Sequence, residues 1–418
     1  MLRTAAARLR RAYTTAAVTP LEKEWLDWSA KQARILTGGG KAVAERHYTA
    51  KNGYAFEESE LPHHHLVRGD THDAFARFKR ADDNFRETVL SGPARNADGE
   101  LVWDWVCGAW GRSIFVGGWE HTNYASENCY NLQTPSIFVD IRIPTARQHA
   151  DYAGLEGATG FGELSEAQLR LLARQHAFCG YSRIARSTLR AHAWQPVCAR
   201  HHAIDWNFVG APRSRPNKWR LEPDLANATA EGGVQRWKEW SYAADAAGQA
   251  YYMEQWERLA DGGGGPYLAL RACSQSEGAD TVVVVVGDHF NYIRARPVHW
   301  SAFEGYGASA AEVIDEALRR GERSLAEACL SLYAGHGRVR AGWSVDASLQ
   351  PWHQQWRLDE VLGGWFVVQG DAKSAPTHVQ LEQPTAAGHA SAQLFDVLEC
   401  SFATVAELAS YLRSCGPV

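Results

Sequence analysis

The feature that most constrains the fold of this chain is a change of hydrophobic period near residue 100. From Glu100 to Arg296, apolar and polar residues alternate in short segments separated by glycine, proline, asparagine and aspartate. Such alternation is typical of half-buried strands, and many short strands joined by turns predict an antiparallel β-barrel or β-sandwich. We expect strands at residues 101–110, 114–119, 130–133, 136–143, 178–184, 201–208, 218–222, 234–240, 251–259, 267–274, 281–286, 290–295, 338–349 and 364–369.

Helical patterns lie on both sides of this region and interrupt it once, after an N-cap at Ser165. Residues 20–99 predict a helical or irregular N-terminal extension, and residues 100–300 the β-barrel core. In 301–418 we expect a helix at 309–334, strands that complete the barrel and a closing C-terminal helix. The expected fold class is therefore mainly β, with a helical N-terminal extension and helical insertions.

The first 19 residues have the composition of an organelle-targeting segment. Four arginines lie on one arc of a helical wheel, and no acidic residue precedes Glu22. An arginine-rich, acid-free, amphipathic segment is typical of a transit peptide. We expect residues 1–19 to be a mitochondrial transit peptide that directs the protein to the matrix, with a plastid as the alternative.

Charge, cysteine spacing and hydropathy argue against several classes of protein. The net charge of −5 does not provide the excess of basic residues that is typical of nucleic-acid-binding proteins. The eight cysteines show no C-x-x-C spacing, which argues against zinc-ribbon and thioredoxin-like sites. The apolar run Val282–Val286 is far shorter than the roughly 20 residues of a membrane-spanning helix. Phosphate-loop and G-x-S-x-G motifs are absent from the sequence. We expect a small-molecule ligand, no cofactor, no nucleic-acid partner and no membrane span.

Tryptophan is unusually abundant, with 17 Trp against only 2 Met. All but Trp25 and Trp28 lie between Trp103 and Trp365, so the enrichment belongs to the strand region. Tryptophan offers large rigid faces, whereas methionine packs adaptably. This composition predicts rigid aromatic walls around a pocket.

Five sequence runs together carry a resemblance to known proteins. They are NCYNLQTPSIFVDIRIP (128–144), FCGYSR (178–183), HHAIDW (201–206), YYMEQWERL (251–259) and GDHFNYIRAR (287–296). As a set they resemble uncharacterised bacterial proteins and are more distantly similar to fungal HRI-type proteins of the calycin-like β-barrel class, over about residues 101–370. The resemblance implies a lipocalin-like barrel with an internal cavity, and it implies no particular reaction.

The strand at 137–143 offers the clearest candidates for ligand binding. Its aliphatic residues share one face, and Asp140 and Arg142 share the other. If the aliphatic face packs under a helix, this pair faces the barrel interior, where Arg142 could hold a carboxylate or phosphate and Asp140 could orient it. A solvated outer face is the alternative. Further candidate substrate-binding residues are Gln133, on the preceding strand, and Trp256.

Glu254, His201 and Asp205 are the candidate catalytic residues. Glu254 lies between aromatic neighbours that include Trp256, an environment that can raise a carboxyl pKa and produce a proton donor. Alternatively, Glu254 pairs with an arginine of the barrel. His201 and Asp205 share a face of their strand and could act as general acid or base, or as structural residues.

Two further groups complete the set of candidates. Tyr292 and Arg294 share a strand face that suits an anionic, partly apolar ligand. The loop from His63 to Asp73 is rich in histidine and aspartate but matches no metal-ligand spacing, so no metal site is predicted.

These observations leave two functions open. The first is a cofactor-independent enzyme, a lyase, isomerase or hydratase, that uses acid–base chemistry in the barrel on an anionic, partly apolar substrate. The second is a non-catalytic mitochondrial carrier or assembly factor that binds an apolar ligand. Ionisable groups clustered inside the barrel favour the enzyme, and a wholly apolar interior favours the carrier.

Overall fold

The computed structural model describes most of the chain beyond residue 103. The described residues are 104–116, 127–148, 154–186, 196–207, 209, 217–224, 228, 233–241, 253–272, 280–298, 300–307, 309–383 and 391–416. The segments predicted as a transit peptide (1–19) and an N-terminal extension (20–99), with the His63–Asp73 loop, lie outside the described residues.

The first eight strands form a closed antiparallel barrel. Each strand pairs with the next along the chain, and β1 pairs with β8 to close the barrel. The strands are β1 (Gly108–Val116), β2 (Glu127–Gln133), β3 (Ile137–Pro144), β4 (His176–Arg186), β5 (Pro196–Asp205), β6 (Asn217–Pro223), β7 (Arg236–Ser241) and β8 (Met253–Arg258). The expectation of a mainly β, barrel-like fold is thus confirmed.

The next eight strands form a second antiparallel sheet beside the barrel, in the order β13-β12-β11-β10-β9-β16-β15-β14. They are β9 (Tyr267–Ala272), β10 (Thr281–Val286), β11 (His289–Arg294), β12 (Tyr333–Arg338), β13 (Ser344–Ser348), β14 (Trp365–Val368), β15 (His378–Gln383) and β16 (Ser391–Cys400). The strands at 267–294, which sequence analysis assigned to the barrel core, therefore belong to this sheet. The later strands extend the same sheet instead of completing the barrel.

Five α-helices lie in the described ranges: α1 (Glu166–Leu172), α2 (Ala310–Arg319), α3 (Arg323–Leu330), α4 (Leu358–Leu362) and α5 (Val405–Cys415). The side chains of Ser165, Ser309 and Thr404 cap α1, α2 and α5. The single helix expected at 309–334 is two helices, because Gly321 takes a left-handed φ of 77° between them and β12 begins at Tyr333. None of the helices described is long and apolar enough to cross a membrane.

The two faces of β3 show how the core is divided. Its aliphatic residues join a buried cluster with Leu169 of α1, Val313 of α2 and Val284 of β10. The helices and the second sheet therefore pack against the outside of the barrel. Because side chains alternate along a strand, Asp140 and Arg142 point to the opposite side, into the barrel.

Candidate functional site

The barrel interior holds a continuous chain of buried ion pairs, which we call the interior network. Arg112 of β1 donates to Glu127 Oε2 at 3.2 Å and to Glu254 Oε1 at 2.9 Å. The same Glu254 oxygen accepts from Arg142 Nη1 at 3.4 Å. Arg142 in turn donates to both oxygens of Asp140, at 3.0 and 3.3 Å.

Arg200 of β5 continues the interior network on the far side of Asp140. Its Nη1 donates to Asp140 Oδ2 at 3.4 Å, and its Nε donates to the Ser182 hydroxyl at 3.2 Å. Its Nη2 donates to the side-chain oxygens of Asn131 and Gln133, each at 3.0 Å. The three guanidinium groups, from β1, β3 and β5, are thereby held in place by side chains from β2, β3, β4 and β8.

Aromatic rings surround these charges. The guanidinium carbon of Arg200 lies 4.0 Å from the Phe138 ring centre and 4.9 Å from that of Trp219. Arg142 lies 5.4 Å from the ring centre of Phe178 and 5.8 Å from that of Trp256. Rings at these distances attract cations, so they stabilise charges that burial penalises.

The tryptophans of the barrel form a wall on the same interior face. Trp256 stacks on Trp237, with ring centres 5.8 Å apart and planes 13° apart, and Trp110 meets Trp237 edge-on at 6.0 Å. All three are buried, as is Trp219. A rigid aromatic wall of the kind that the composition predicts is therefore present in the barrel.

The interior network shifts the pKa values of its members in opposite directions. Burial opposes the charge of Asp140, but Arg142 and Arg200 outweigh it and lower the pKa of that carboxyl. Burial likewise opposes the charge of Arg142, but Asp140 and Glu254 raise its pKa well above the usual value. These two groups stay ionised throughout the neutral range.

The pKa of Glu127 shifts in the opposite direction to that of Asp140. Burial raises the pKa of its carboxyl to about 7, because desolvation exceeds the attraction of Arg112 and Arg142. A carboxyl that titrates near neutrality and touches a fixed cation can both donate and accept a proton. Glu127 therefore has the proton-donor property that sequence analysis assigned to Glu254.

The structure brings five of the sequence-predicted residues together inside the barrel: Asp140, Arg142, Glu254, Trp256 and Gln133. Glu254 takes the arginine-paired alternative, because its Oε1 accepts from both Arg112 and Arg142. Its Oε2 is buried with no hydrogen-bond partner among the residues described.

A bulge in β5 changes the expected roles of His201 and Asp205. The register with β4 shifts between the pairs Cys179–Ile204 and Gly180–His202, so His202 shares the interior face with Asp205. His202 Nδ1 lies 2.6 Å from Asp205 Oδ2, and its ring stacks on Phe178 with centres 4.5 Å apart. His201 pairs with Tyr181 in the register, and its side chain is outside the described part of the chain.

Two predicted residues lie away from the interior network, in β11 of the second sheet. Tyr292 is buried in the core of that sheet, with its hydroxyl 3.3 Å from Ser348 Oγ. Arg294 is exposed at the end of the strand. The expectation that they face the barrel ligand together with Arg142 is corrected, because β11 pairs with β10 and β12 and not with a barrel strand.

Four residues of the barrel interior were not predicted from the sequence: Arg112, Glu127, Arg200 and His202. The alternation could have predicted two of them, because Glu127 precedes Cys129 by two residues and Arg112 follows Trp110 by two. No three His, Cys, Asp or Glu side chains in the described ranges form a group that could hold a metal ion.

Comparison with known proteins gives one distant structural neighbour. The crystal structure of an uncharacterized protein from Saccharomyces cerevisiae matches with a TM-score of 0.37 and 12% sequence identity, over 71% of this chain and 99% of that chain. No protein-family model matches the chain, and no curated protein matches it.

Proposed function

We propose that the barrel interior is the active site of an enzyme that transfers a proton to or from a small anionic molecule, with Glu127 as the group that carries the proton. The observation that supports this most is the position of the Glu127 carboxyl. It is buried, has a pKa of about 7, and lies 3.2 Å from Arg112 Nη2.

During the proton transfer, the charged side chains of the interior network would stay in fixed positions. Protonated Glu127 gives its proton to the substrate and becomes a carboxylate, which Arg112 stabilises; the reverse step regenerates the acid. Arg142 would hold the anionic group of the substrate, because its side chain retains 10% exposure while its geometry is fixed by Asp140. Glu254 would position Arg112 and Arg142.

This chemistry fits a lyase, an isomerase or a hydratase, since each needs proton transfer without a nucleotide. His202 and Asp205, linked at 2.6 Å, would form a second acid–base pair on the same interior face. Their position takes over the role that sequence analysis gave to His201 and Asp205.

The test compares the wild-type protein with Glu127→Gln in an extract of cellular small molecules analysed by mass spectrometry. We expect the wild-type protein to change the amount of at least one small anion and Glu127→Gln to do so about 100-fold or more slowly, the usual loss for a general acid or base. Glu382→Gln, at an exposed carboxyl on β15, is the control and should match the wild-type rate. Equal activity of Glu127→Gln and wild type would overturn the proposal.

A non-catalytic carrier is the second candidate, and the tryptophan wall favours it. Trp237 and Trp256 stack on each other in the barrel interior, and large rigid rings of this kind would line the site of an apolar ligand that is bound without turnover. The same extract experiment separates the two functions: a carrier would retain a molecule, visible by native mass spectrometry, and leave its structure unchanged.

We also propose a calycin-like, lipocalin-type assignment for the barrel. Eight antiparallel strands in sequential order, closed between β1 and β8, match the up-and-down arrangement of lipocalins. The motifs that suggest this class lie partly in the barrel strands β2, β3, β4, β5 and β8.

Mitochondrial import through residues 1–19 is a further proposal, supported by their arginine-rich, acid-free composition. A fluorescent fusion of the full chain should enter mitochondria, and a fusion lacking residues 2–19 should stay in the cytosol. Import of the truncated fusion would contradict the assignment, and entry of the full chain into plastids would favour the alternative.

A further inference from the structure

Two buried histidines of the second sheet face each other through their ring nitrogens. Nδ1 of His289, in β11, lies 3.4 Å from Nε2 of His336, in β12. The ring centres are 5.3 Å apart and the ring planes 20° apart, so the two imidazoles meet edge to edge. Each residue is 3% exposed, and burial favours the neutral form of an imidazole. A neutral ring has one N–H group and one lone pair, so the partners of the two outer nitrogens decide which group each inner nitrogen presents.

The surrounding structure fixes the proton of His336 on Nδ1. Asn291 directs its side-chain NH₂ group at two backbone oxygens, those of Tyr130 at 3.1 Å and Val139 at 2.9 Å, and a carbonyl oxygen can only accept. The other polar atom of the Asn291 amide is therefore its oxygen, which lies 2.8 Å from His336 Nδ1. Because this oxygen also only accepts, Nδ1 of His336 carries the proton and Nε2 presents a lone pair.

The proton of His289 is fixed on Nε2 in the same way. This nitrogen lies 2.7 Å from the backbone oxygen of Ala260, so it donates, and Nδ1 presents a lone pair. Two lone pairs thus face each other at 3.4 Å, an arrangement that a cation between the nitrogens stabilises. A histidine that binds a metal ion usually donates its other ring N–H to a carbonyl oxygen or carboxylate, and both of these rings donate to an oxygen.

The distances between the rings distinguish a metal ion from a shared proton. A hydrogen bond that shares a proton is normally shorter than about 3.2 Å and close to linear, and a linear contact at the observed N–N distance would place the ring centres about 5.7 Å apart. Two nitrogens bound to one tetrahedral zinc ion, each at roughly 2.0–2.1 Å, lie about 3.3–3.4 Å apart, with their ring centres about 5.2 Å apart. The observed distances of 3.4 and 5.3 Å agree with the zinc geometry.

The histidine pair lies directly beneath the surface of the molecule. His289 donates to the backbone of Ala260, which is exposed. On the side of His336, the register of β12 with β13 shifts, so Asp346 is the extra residue of a bulge and is also exposed. An ion from solvent therefore has only one layer of residues to pass.

The charges near the pair are compatible with a bound cation. The Asp346 carboxylate interacts electrostatically with His289 and adds a negative charge on the exposed side. Arg338 would oppose a cation, because its charge acts on both rings. Asp288 neutralises Arg338, since its Oδ2 accepts from Nε at 2.9 Å and from Nη2 at 2.6 Å.

We propose that Nδ1 of His289 and Nε2 of His336 bind one zinc ion where the second sheet meets the barrel. Water would occupy the remaining coordination positions, and Asp346 would accept hydrogen bonds from it. A site with two protein ligands is consistent with the finding that no three side chains of the described ranges form a metal-binding group. The inference is independent of proton transfer by Glu127.

The test measures zinc binding to the full chain by calorimetry and thermal unfolding, after a chelator has removed any bound metal. We expect Zn²⁺ to raise the melting temperature of the wild type, because a ligand of the folded state stabilises that state. Mg²⁺ should not raise it, because this ion prefers oxygen ligands. The histidines at 63–65 can also bind zinc, but they contribute equally to every variant, so the variants are compared by their difference from the wild type.

His336→Asn and His289→Gln remove the two ligands but keep the outer hydrogen bonds. The amide NH₂ of the new asparagine replaces Nδ1–H toward Asn291, and that of the new glutamine replaces Nε2–H toward Ala260. Each variant should bind one equivalent of zinc fewer than the wild type, and zinc should no longer raise its melting temperature. The two variants act on different strands, so either one alone tests the site if the other does not fold.

Two further variants complete the test. Asp346→Asn should weaken zinc binding about tenfold, the usual effect of losing a group that contacts a metal-bound ligand. His378→Gln, at an exposed histidine of β15, is the matched control and should bind zinc like the wild type. Equal zinc uptake by the wild type, His336→Asn and His289→Gln would overturn the inference, because zinc would then bind elsewhere. A wild-type melting temperature that zinc does not raise would also overturn it and would leave the pair with at most a proton.

Discussion

At the scale of single residues, the barrel interior is unusual because it buries charge where small barrels are commonly filled by apolar side chains. A buried ion pair gains little over a well-packed apolar pair, but removing one partner leaves the other charge uncompensated. Asp140, which is fully buried, depends in this way on Arg142 and Arg200. The interior network is therefore expected to be far more sensitive to single than to matched double substitutions.

Arg142→Met tests this dependence. We expect a loss of about 3–5 kcal/mol in the free energy of unfolding, because Asp140 and Glu254 lose a cation inside the barrel. Adding Asp140→Asn should recover part of that loss, since the amide oxygen can still accept from Arg200. Chemical denaturation measures both variants. Arg319→Met, which removes an exposed pair with Glu316, should leave the unfolding midpoint unchanged; an equally small effect of Arg142→Met would contradict the prediction.

Glu127→Gln tests the raised pKa of that carboxyl. The unfolded chain ionises Glu127 near pH 4.3, whereas the folded chain keeps the proton until about pH 7. Between these values the unfolded state binds fewer protons, so Glu127 makes the wild type less stable as the pH rises. We expect Glu127→Gln to gain stability relative to the wild type between pH 5 and pH 8, measured by urea midpoints. A constant difference across that range would show that the pKa of Glu127 is not raised.

At the scale of elements, contacts outside the barrel hold its strands in register. Glu399 of β16 reaches the turn between β2 and β3, where its carboxylate accepts from the Thr134 hydroxyl at 2.5 Å, from the Ser136 backbone N–H at 3.1 Å and from the Ser136 hydroxyl. Asn291 of β11 donates to the backbone oxygens of Tyr130 and Val139. The second sheet thus supports the two strands that carry Asn131, Gln133, Asp140 and Arg142.

Glu399→Gln should weaken this support. In the glutamine side chain only the oxygen accepts hydrogen bonds, whereas the NH₂ group donates, so the three bonds that the two carboxylate oxygens accept cannot all remain. Hydrogen bonds to charged groups contribute about 1.5–3 kcal/mol each. We expect faster hydrogen exchange at residues 133–137 and a lower unfolding midpoint. Glu382→Gln on the neighbouring strand β15 lacks this contact and should change neither; identical exchange in the two variants would exclude the proposed support.

The same elements show what sequence alone could and could not predict. The alternation in β3 placed Asp140 and Arg142 opposite its aliphatic face, and that face packs under helices and the second sheet. In β5 a single bulged residue reverses the alternation, so the periodicity pointed to His201 where His202 faces inward. The split into barrel and sheet depends on which strands pair over long distances, and local periodicity carries no information about that.

At the scale of the whole molecule, buried neutral histidines dominate the response to acid. Burial lowers the pKa of His176 to about 3 and that of His353 to about 4, and it also lowers the pKa values of His289 and His336. His289 and His336 lie 3.4 Å apart where the second sheet meets the barrel, and His336 stacks on Tyr130 with ring centres 4.2 Å apart. Protonation of these groups therefore acts on the core, the barrel and their junction together.

The sign of this response follows from proton binding. As the pH falls through about 6.5, the unfolded chain binds more protons at these four histidines than the folded chain does. Each histidine therefore removes up to about 1.4 kcal/mol of stability per pH unit until the pH reaches its folded pKa. Glu127 acts in the opposite direction between about pH 7 and pH 4.3, and so does Asp346, whose pKa burial also raises, but they are two groups against four. We expect the urea midpoint of unfolding to fall between pH 7 and pH 5.

His353→Phe should make this fall with pH less steep, because it removes one titrating group and keeps the packing against Tyr333 and Trp356. His378→Phe, at an exposed position on β15, is the control and should leave the pH dependence unchanged. A midpoint that rises on acidification would mean that the carboxyls with raised pKa values outweigh the histidines.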